Sequence, residues 1–469
     1  MSIQVAVIGA YGSAGSAVAG ELAEREDVEL LLFDDGDPGG GLCILRGCMP
    51  SKEILSAGAH RYQARHDDRL VGSVPDVDLE RVVERKDDHT LGWAAHRRDS
   101  VEQLAERSDV IFIRETARFV DERTIEAGGE RYEPDYVVVA TGSNVNIPDT
   151  PGIEDVDYMT SADVLDATTF PDTGIVMGFG YVGMELVPYL AEVGGMELTV
   201  VEHDDRPIDE AEPPFGDAAL ELYREEFGVS IPTNVSEKRL EPTADGVSLV
   251  LEDEAGEKRV VEGEQLLCFT GRRPAVDRLG LEHAGIDPTG EWVDATMQAT
   301  DSGRVFVPGD ANGREPILHV AKEQGFLTAE NILADANGEP LTPYENVHHH
   351  VIFSGLGVYP FARVGHTETS ARAAGYDVVT ATRQASDDGV FKAKDVADGL
   401  AKLVVDRTDG TVLGYQGLHF HADAMAKSLQ IIVELGIDVR AVPDRAYHPT
   451  TPEILDGLFR ETAEAVEKA

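Results

Sequence analysis

Apolar and polar positions along the chain follow two periods, and the switches between them mark its elements. Residues 4–8 form an apolar-rich run that predicts a strand, 9–15 a glycine turn, 16–25 a helix, and 28–33 a second strand that ends at Asp34. The same order returns far downstream. A strand at 174–177 leads into Gly178-Phe179-Gly180-Tyr181-Val182-Gly183, a helix follows through Ala191, and a strand at 198–201 ends at Glu202. From first glycine to terminal acid there are 25 residues in the first copy and 24 in the second. Two copies of one strand–helix–strand unit predict two dinucleotide-binding domains.

Between the copies, 85–107 predicts an exposed helix, 110–119 and 123–126 small antiparallel strands, and 136–140 a buried strand running into Thr141-Gly142-Ser143. After the second copy, a buried strand at 266–270 enters Gly271-Arg272-Arg273-Pro274, and 304–307 leads into Pro308-Gly309-Asp310. A turn-rich stretch at 338–343 marks a boundary. Beyond it, strands at 400–406 and 414–420 and a helix at 422–435, whose apolar face needs a partner, predict a third domain. The expected fold class is α/β, with two Rossmann-like domains over 1–150 and 151–270. The chain returns to the central domain over 271–340, and an α+β domain fills 341–469. At roughly 150 residues per domain, 469 residues agree with about three domains.

Composition changes this picture in one respect. Asp plus Glu is 87 against 40 for Lys plus Arg, a net charge of −47, and only 10 of the basic residues are Lys. Such a field repels nucleic acid and anionic membranes. Because the apolar patterning persists, the charge predicts a folded protein of a high-salt cytoplasm rather than disorder. No run reaches the roughly 18 consecutive apolar residues of a membrane span, and the chain enters a strand at once without a basic leader, so a cytoplasmic location is expected. Three cysteines are too few for a disulfide framework.

Two of them lie close together, in Gly40-Gly41-Leu42-Cys43-Ile44-Leu45-Arg46-Gly47-Cys48-Met49-Pro50-Ser51-Lys52. In an unbroken helix, Cα atoms five positions apart are about 8 Å from each other, beyond disulfide reach. A bond would therefore require the segment to curl, which Gly47 permits. Pro50 suits the first turn of a following helix, at whose positive end Cys48 would be favoured as a thiolate. A redox pair is expected. The alternatives are two unlinked core cysteines or metal ligands, although no further Cys or His stands nearby at ligand spacing. No metal site is expected. In the first turn Gly9 and Gly12 are present, but Tyr11 and Ala14 stand where Gly-x-Gly-x-x-Gly wants its second and third glycines; Asp34 supports a ribose contact. The second turn, Gly178, Gly180, Gly183 with Glu202, is complete.

Taken in order, the motifs resemble the FAD-dependent pyridine nucleotide–disulfide oxidoreductases, the family of dihydrolipoamide dehydrogenase, glutathione reductase and mercuric reductase. The resemblance rests on Gly40 to Lys52, Ala140-Thr141-Gly142, Gly178 to Glu185, Gly271 to Pro274, Gly309-Asp310 and His448 to Glu453, and it covers nearly the whole chain. It implies FAD in the first domain, held by Gly9, Gly12, Ala14, Asp34, Gly41, Thr141, Gly142, Gly271, Arg272 and Asp310. It implies NAD(P)H in the second, at Gly178, Gly180, Gly183 and Glu202. The carboxylate of Glu202 favours NADH, while Arg206 can soften its repulsion of a 2′-phosphate. Cys48 resembles the thiol beside the flavin and Cys43 the interchange thiol, with the two forming the redox-active disulfide. Lys52 resembles the lysine near the flavin, paired with Glu185. His448 resembles the acid/base histidine supplied by the partner of a homodimer with shared active sites, oriented by Glu453. The expected substrate is a small-molecule disulfide of the glutathione or bis-γ-glutamylcystine type. Dihydrolipoamide oxidation is the alternative, and another flavin reductase or a non-catalytic flavoprotein comes behind both. The C-terminal cysteine pair of mercuric reductases is absent, since nothing after Cys268 is Cys.

Overall fold

The structure is a computed structural model that describes residues 2–445 and 447–468. The chain forms two compact units, one of residues 1–50, 84–146 and 272–346, the other of 51–83, 147–271 and 347–469.

The first unit is built on a six-stranded sheet in the order Gln298–Ala299, Ser302–Phe306, Tyr136–Val139, Ile3–Ile8, Val28–Phe33, Val110–Ile113. Its five longer strands run parallel. The nearly continuous burial of Val-Glu-Leu-Leu-Leu-Phe is what a parallel strand covered on both faces requires. Ile8 pairs with both Phe33 and Val139, so Gly9, Asp34 and Ala140 leave the sheet side by side at its carboxyl edge. On one face, the helices Ser13–Ala23 and Leu318–Ala336 pack so closely that a Cβ on Gly325 would lie 2.6 Å from the Ala14 carbonyl oxygen. The expected antiparallel strand over 110–119 divides. Val110–Ile113 joins the parallel sheet as an edge, with Ile111 exposed, and only Ala117–Phe119 enters an antiparallel sheet, with Ile125–Ala127 and Glu130–Tyr132. The helix expected over 85–107 runs Leu79–Leu104 and buries Lys86, Thr90, Ala94 and Val101, so it is less exposed than its polar sequence suggests.

In the second unit, Glu197–Val201, Thr173–Met177, Gln265–Cys268 and Tyr158–Thr160 form a parallel sheet. Met177 pairs with both Val201 and Cys268, which sets Gly178 beside Glu202. Cys268 belongs to an apolar cluster with Met177 and Val201, and burial pushes its thiol up to about 12. A separate five-stranded antiparallel sheet has the order His349–Ile352, Phe361–Gly365, Val412–His419, Gly399–Asp406, Val378–Gln384. The helix Ala422–Glu434 buries Ala422, Met425, Ala426 and Leu429 within this unit, so most of the apolar face expected to need a partner is already covered; Ile431 and Leu435 remain exposed.

Candidate active site

Cys43 and Cys48 are thiols, the first half-buried and the second exposed. Leu42–Leu45 makes one helical turn, Arg46 leaves helical geometry at φ −142°, and a new helix, Cys48–His66, begins at the second cysteine. Gly47 lies in the break, where a Cβ would come 3.1 Å from the Leu42 carbonyl oxygen and 3.2 Å from the Cys43 Cα. A side chain at this position would therefore crowd the curl. The two cysteine side chains are hydrogen-bonded. That bond, burial, and the charge of Cys48 together raise the Cys43 thiol far above its ordinary value, against smaller opposing effects of the Cys48 backbone N–H, which donates to it, and of the Arg97 guanidinium.

The first glycine turn corrects the expected register. Gly9 has φ +97°, and a Cβ there would meet the Ala140 carbonyl oxygen at 2.3 Å. Gly12 is the N-cap of the Ser13–Ala23 helix, and a Cβ on Gly15 would lie 2.2 Å from the Gly9 carbonyl oxygen. In the second turn, Gly178 has φ +96°, Gly180 is the N-cap of Tyr181–Glu192, and a Cβ on Gly183 would lie 2.4 Å from the Gly178 carbonyl oxygen. Gly12 and Gly15 therefore do what Gly180 and Gly183 do, in a turn lengthened by one residue after Gly9. Ala14 was the expected third position; the close approach is made at Gly15 instead, and Ala14 is a packing residue against Gly325.

Lys52 Nζ donates to Glu185 Oε1 and Oε2, both at 2.6 Å, and lies 4.5 Å from the centre of the Phe353 ring. The Phe353 N–H donates to Glu185 Oε1 at 3.1 Å. Glu202, at the end of its strand, accepts from the Asp204 N–H, and burial raises its pKa. Arg206, expected to soften the repulsion between Glu202 and a 2′-phosphate, is paired with Asp205 and Asp217, both at 2.8 Å. His448 is exposed, with Nδ1 3.1 Å from each Glu453 oxygen. The Thr450 N–H donates to Glu453 Oε1, and with His448 it lowers the Glu453 pKa.

A family model described as pyridine nucleotide-disulphide oxidoreductase matches residues 3–325, and the dimerisation domain of that family matches 351–458. The chain belongs to the pyridine nucleotide-disulphide oxidoreductase family. It is 30% identical over 481 residues to a dihydrolipoyl dehydrogenase of Halobacterium salinarum, covering 99% of this chain and 96% of that one. It is also 30% identical over 441 residues to a mercuric reductase of Bacillus cereus, covering 92% and 67%. Among solved structures it resembles LpdA from Mycobacterium tuberculosis, with a TM-score of 0.83, 23% identity and coverage of 98% and 99%. The HOCl-induced flavoprotein disulfide reductase RclA from Escherichia coli gives 0.81, 22%, 97% and 99%. As a pyridine nucleotide-disulphide oxidoreductase, the protein is an FAD-dependent enzyme that uses NAD(P)H. Among the described residues, no helix is long and apolar enough to cross a membrane.

The first unit of this oxidoreductase fits a dinucleotide cofactor. No side chain among the described residues caps the N-terminus of Ser13–Ala23, which leaves its N–H groups for an anion such as a pyrophosphate. A Cβ on Gly41 would close to 3.2 Å on the Gly12 Cα, whereas around Gly142, at φ +73°, there is open space. Thr141 Oγ1 is buried without a hydrogen bond, an orphan that a ligand would satisfy. Asp34 already accepts from the Tyr11 and Gly36 N–H groups; burial raises its pKa, and its oxygens retain acceptor capacity. Arg272 Nε donates to Ser143 Oγ, which donates to Asp310 Oδ2 at 2.7 Å, so two expected residues are joined through a third the motifs did not single out. Arg97, also missed, donates to the Tyr11 carbonyl oxygen and to Ser16 Oγ, tying the turn to the Leu79–Leu104 helix. Gly271 has φ +83°.

Proposed function

We propose that the protein passes two electrons from NAD(P)H, with NADH preferred, to a small-molecule disulfide through Cys43 and Cys48. The observation that carries this reading is the hydrogen-bonded thiol pair at the start of the Cys48–His66 helix. When bound, FAD supplies the two-electron relay between the nicotinamide and the cysteine pair. Reduction of the Cys43–Cys48 disulfide leaves the charge on Cys48 and the proton on Cys43. Once deprotonated, Cys43 attacks one sulfur of the substrate disulfide and releases the first thiol. Cys48 then attacks Cys43 in the mixed disulfide, closing the protein disulfide and releasing the second thiol. Each departing thiolate needs a proton, and His448, oriented by Glu453, is the group we assign to move it. Lys52, clamped by Glu185, places a fixed cation one helical turn beyond Cys48. We further propose that His448 serves the thiol pair of the other subunit in a homodimer, a reading supported by its place within the dimerisation-domain match.

The stretch from Ile44 through Arg46-Gly47 to Cys48 and the sequence around His448 and Leu455 favour a glutathione-type disulfide. A second reading, dihydrolipoamide oxidation, is supported by the full-length similarity to the Halobacterium salinarum enzyme. Turnover in molar KCl with glutathione disulfide, bis-γ-glutamylcystine and lipoamide, each with NADH and NADPH, decides between them. The highest kcat/KM on a linear thiol disulfide with NADH supports the first reading, the highest value on lipoamide supports the second, and a higher value with NADPH overturns the coenzyme preference.

A further inference from the structure

The run His348-His349-His350 belongs to no family motif used above. His350 lies in the strand His349–Ile352, two residues after His348, so the two side chains share a face. Their rings meet, with His348 Nε2 2.9 Å from His350 Nδ1. Glu210 approaches the same point from the loop after the strand Glu197–Val201. Its Oε1 is 3.0 Å from His350 Nε2, and its Oε2 is 3.9 Å from His348 Nε2. One ring nitrogen of each histidine and one carboxylate oxygen lie within 4.8 Å of one another. His350 is 6% exposed, and its buried Nε2 makes no regular hydrogen bond among the described residues; its near neighbour there is the Glu210 carboxylate at 3.0 Å.

From this geometry we propose that Glu210, His348 and His350 bind one divalent transition-metal ion of the zinc type. Two imidazoles and one carboxylate are a zinc donor set, and a tetrahedral ion with bonds of about 2.0–2.2 Å needs its donors roughly 3.3 Å apart. The 2.9 and 3.0 Å contacts use opposite nitrogens of His350, so a single ion would take one of them, with one donor atom from each of the three residues inside 4.8 Å and closing toward that spacing as the ion enters. The ion would also satisfy the orphaned His350. Arg363, the register partner of His350, has Nη1 3.6 Å from Glu210 Oε2, and the Tyr181 hydroxyl donates to Oε1. An entering ion competes with both, which makes the site weaker than a closed structural one. Tyr181 stands one turn before Glu185 on the same helix, so occupancy reaches the segment that holds the Lys52–Glu185 pair.

The test is calorimetric titration of the flavin-loaded full chain with Zn²⁺ in molar KCl, which screens diffuse binding to surface carboxylates. A Cys43→Ser/Cys48→Ser background removes competing thiolates. One saturable Zn²⁺ per chain is expected. His348→Ala and Glu210→Gln should each weaken it by at least the ~10–100-fold that loss of an outer-shell partner costs. His348 is half-buried, so H348A is the variant least exposed to misfolding, and flavin content checks the fold. X-ray absorption at the zinc edge of the unmutated site should report two imidazole ligands independently of any variant. Absence of saturable uptake, uptake unchanged by the substitutions, or a zinc spectrum without imidazole would overturn the site.

Discussion

At the residue scale, the proposed chemistry turns on an asymmetry between two identical side chains. Cys43 is half-buried, with a thiol raised by its bond to Cys48 and by burial, whereas Cys48 sits exposed at a helix start. Anaerobic addition of NADH should therefore raise a long-wavelength absorption from a thiolate against the flavin. Cys48→Ser should abolish it and Cys43→Ser keep or strengthen it; a band surviving in both variants would refute the division of roles. His419 shows the same logic without catalysis. It is fully buried, paired through Nε2 with the Tyr415 hydroxyl at 2.8 Å, and burial lowers its pKa to about 4. As pH falls below the ordinary value of about 6.5, the unfolded chain takes up a proton there and the folded chain does not, so stability is lost from about pH 6.5 down to 4. The loss between pH 7.5 and 5 should be about 2 kcal/mol. His419→Gln should remove that part of the pH dependence, read as the difference between the two proteins' denaturation midpoints at each pH.

At the element scale, both glycine turns, to which we assign the cofactors, are tight because a backbone carbonyl occupies the space of a side chain. Gly15→Ala would put a Cβ 2.2 Å from the Gly9 carbonyl oxygen, and Gly183→Ala would put one 2.4 Å from that of Gly178. Gly15→Ala should yield protein depleted of flavin, measured by visible absorbance per chain. Gly183→Ala should keep the flavin and raise KM for NADH. The reverse pattern would mean the cofactor assignments of the two turns are exchanged. The one-residue lengthening explains why the first turn reads poorly as a motif. Spacing alone set Tyr11 and Ala14 against the fingerprint, while the clash that identifies Gly15 exists only once the strand end and the helix start are folded together.

At the scale of the whole molecule, the proposal makes half of each active site belong to a neighbour. The helix Ala422–Glu434 buries most of its apolar face within its own unit, which leaves Ile431 and Leu435 exposed as modest support for an interface there. Co-expression of His448→Ala with Cys43→Ser chains should give heterodimers with one intact site and partial restored turnover, against none for either homodimer. Inactive mixed dimers of proven composition, or full activity from a monomer, would exclude shared sites. The charge of −47 makes molar salt part of these experiments, because screening relieves the self-repulsion of the surface.

By itself, the sequence determined the elements whose signals are local. These are the paired strand–turn–helix–strand units, the curl at Gly47, and the cysteine segment that, with the order of motifs, brought out the family. Such features depend on neighbours within a few positions, where period, glycine and proline act directly on the backbone. Tertiary structure decided what depends on residues distant along the chain. It split 110–119 between a parallel and an antiparallel sheet, and linked Asp310 to Arg272 through Ser143. It paired Arg206 with Asp217, and brought Glu210 to His348 and His350. Side-chain pairing across a fold is set by strand register and by which polar group has been stripped of water, and neither quantity exists until the sheets have formed.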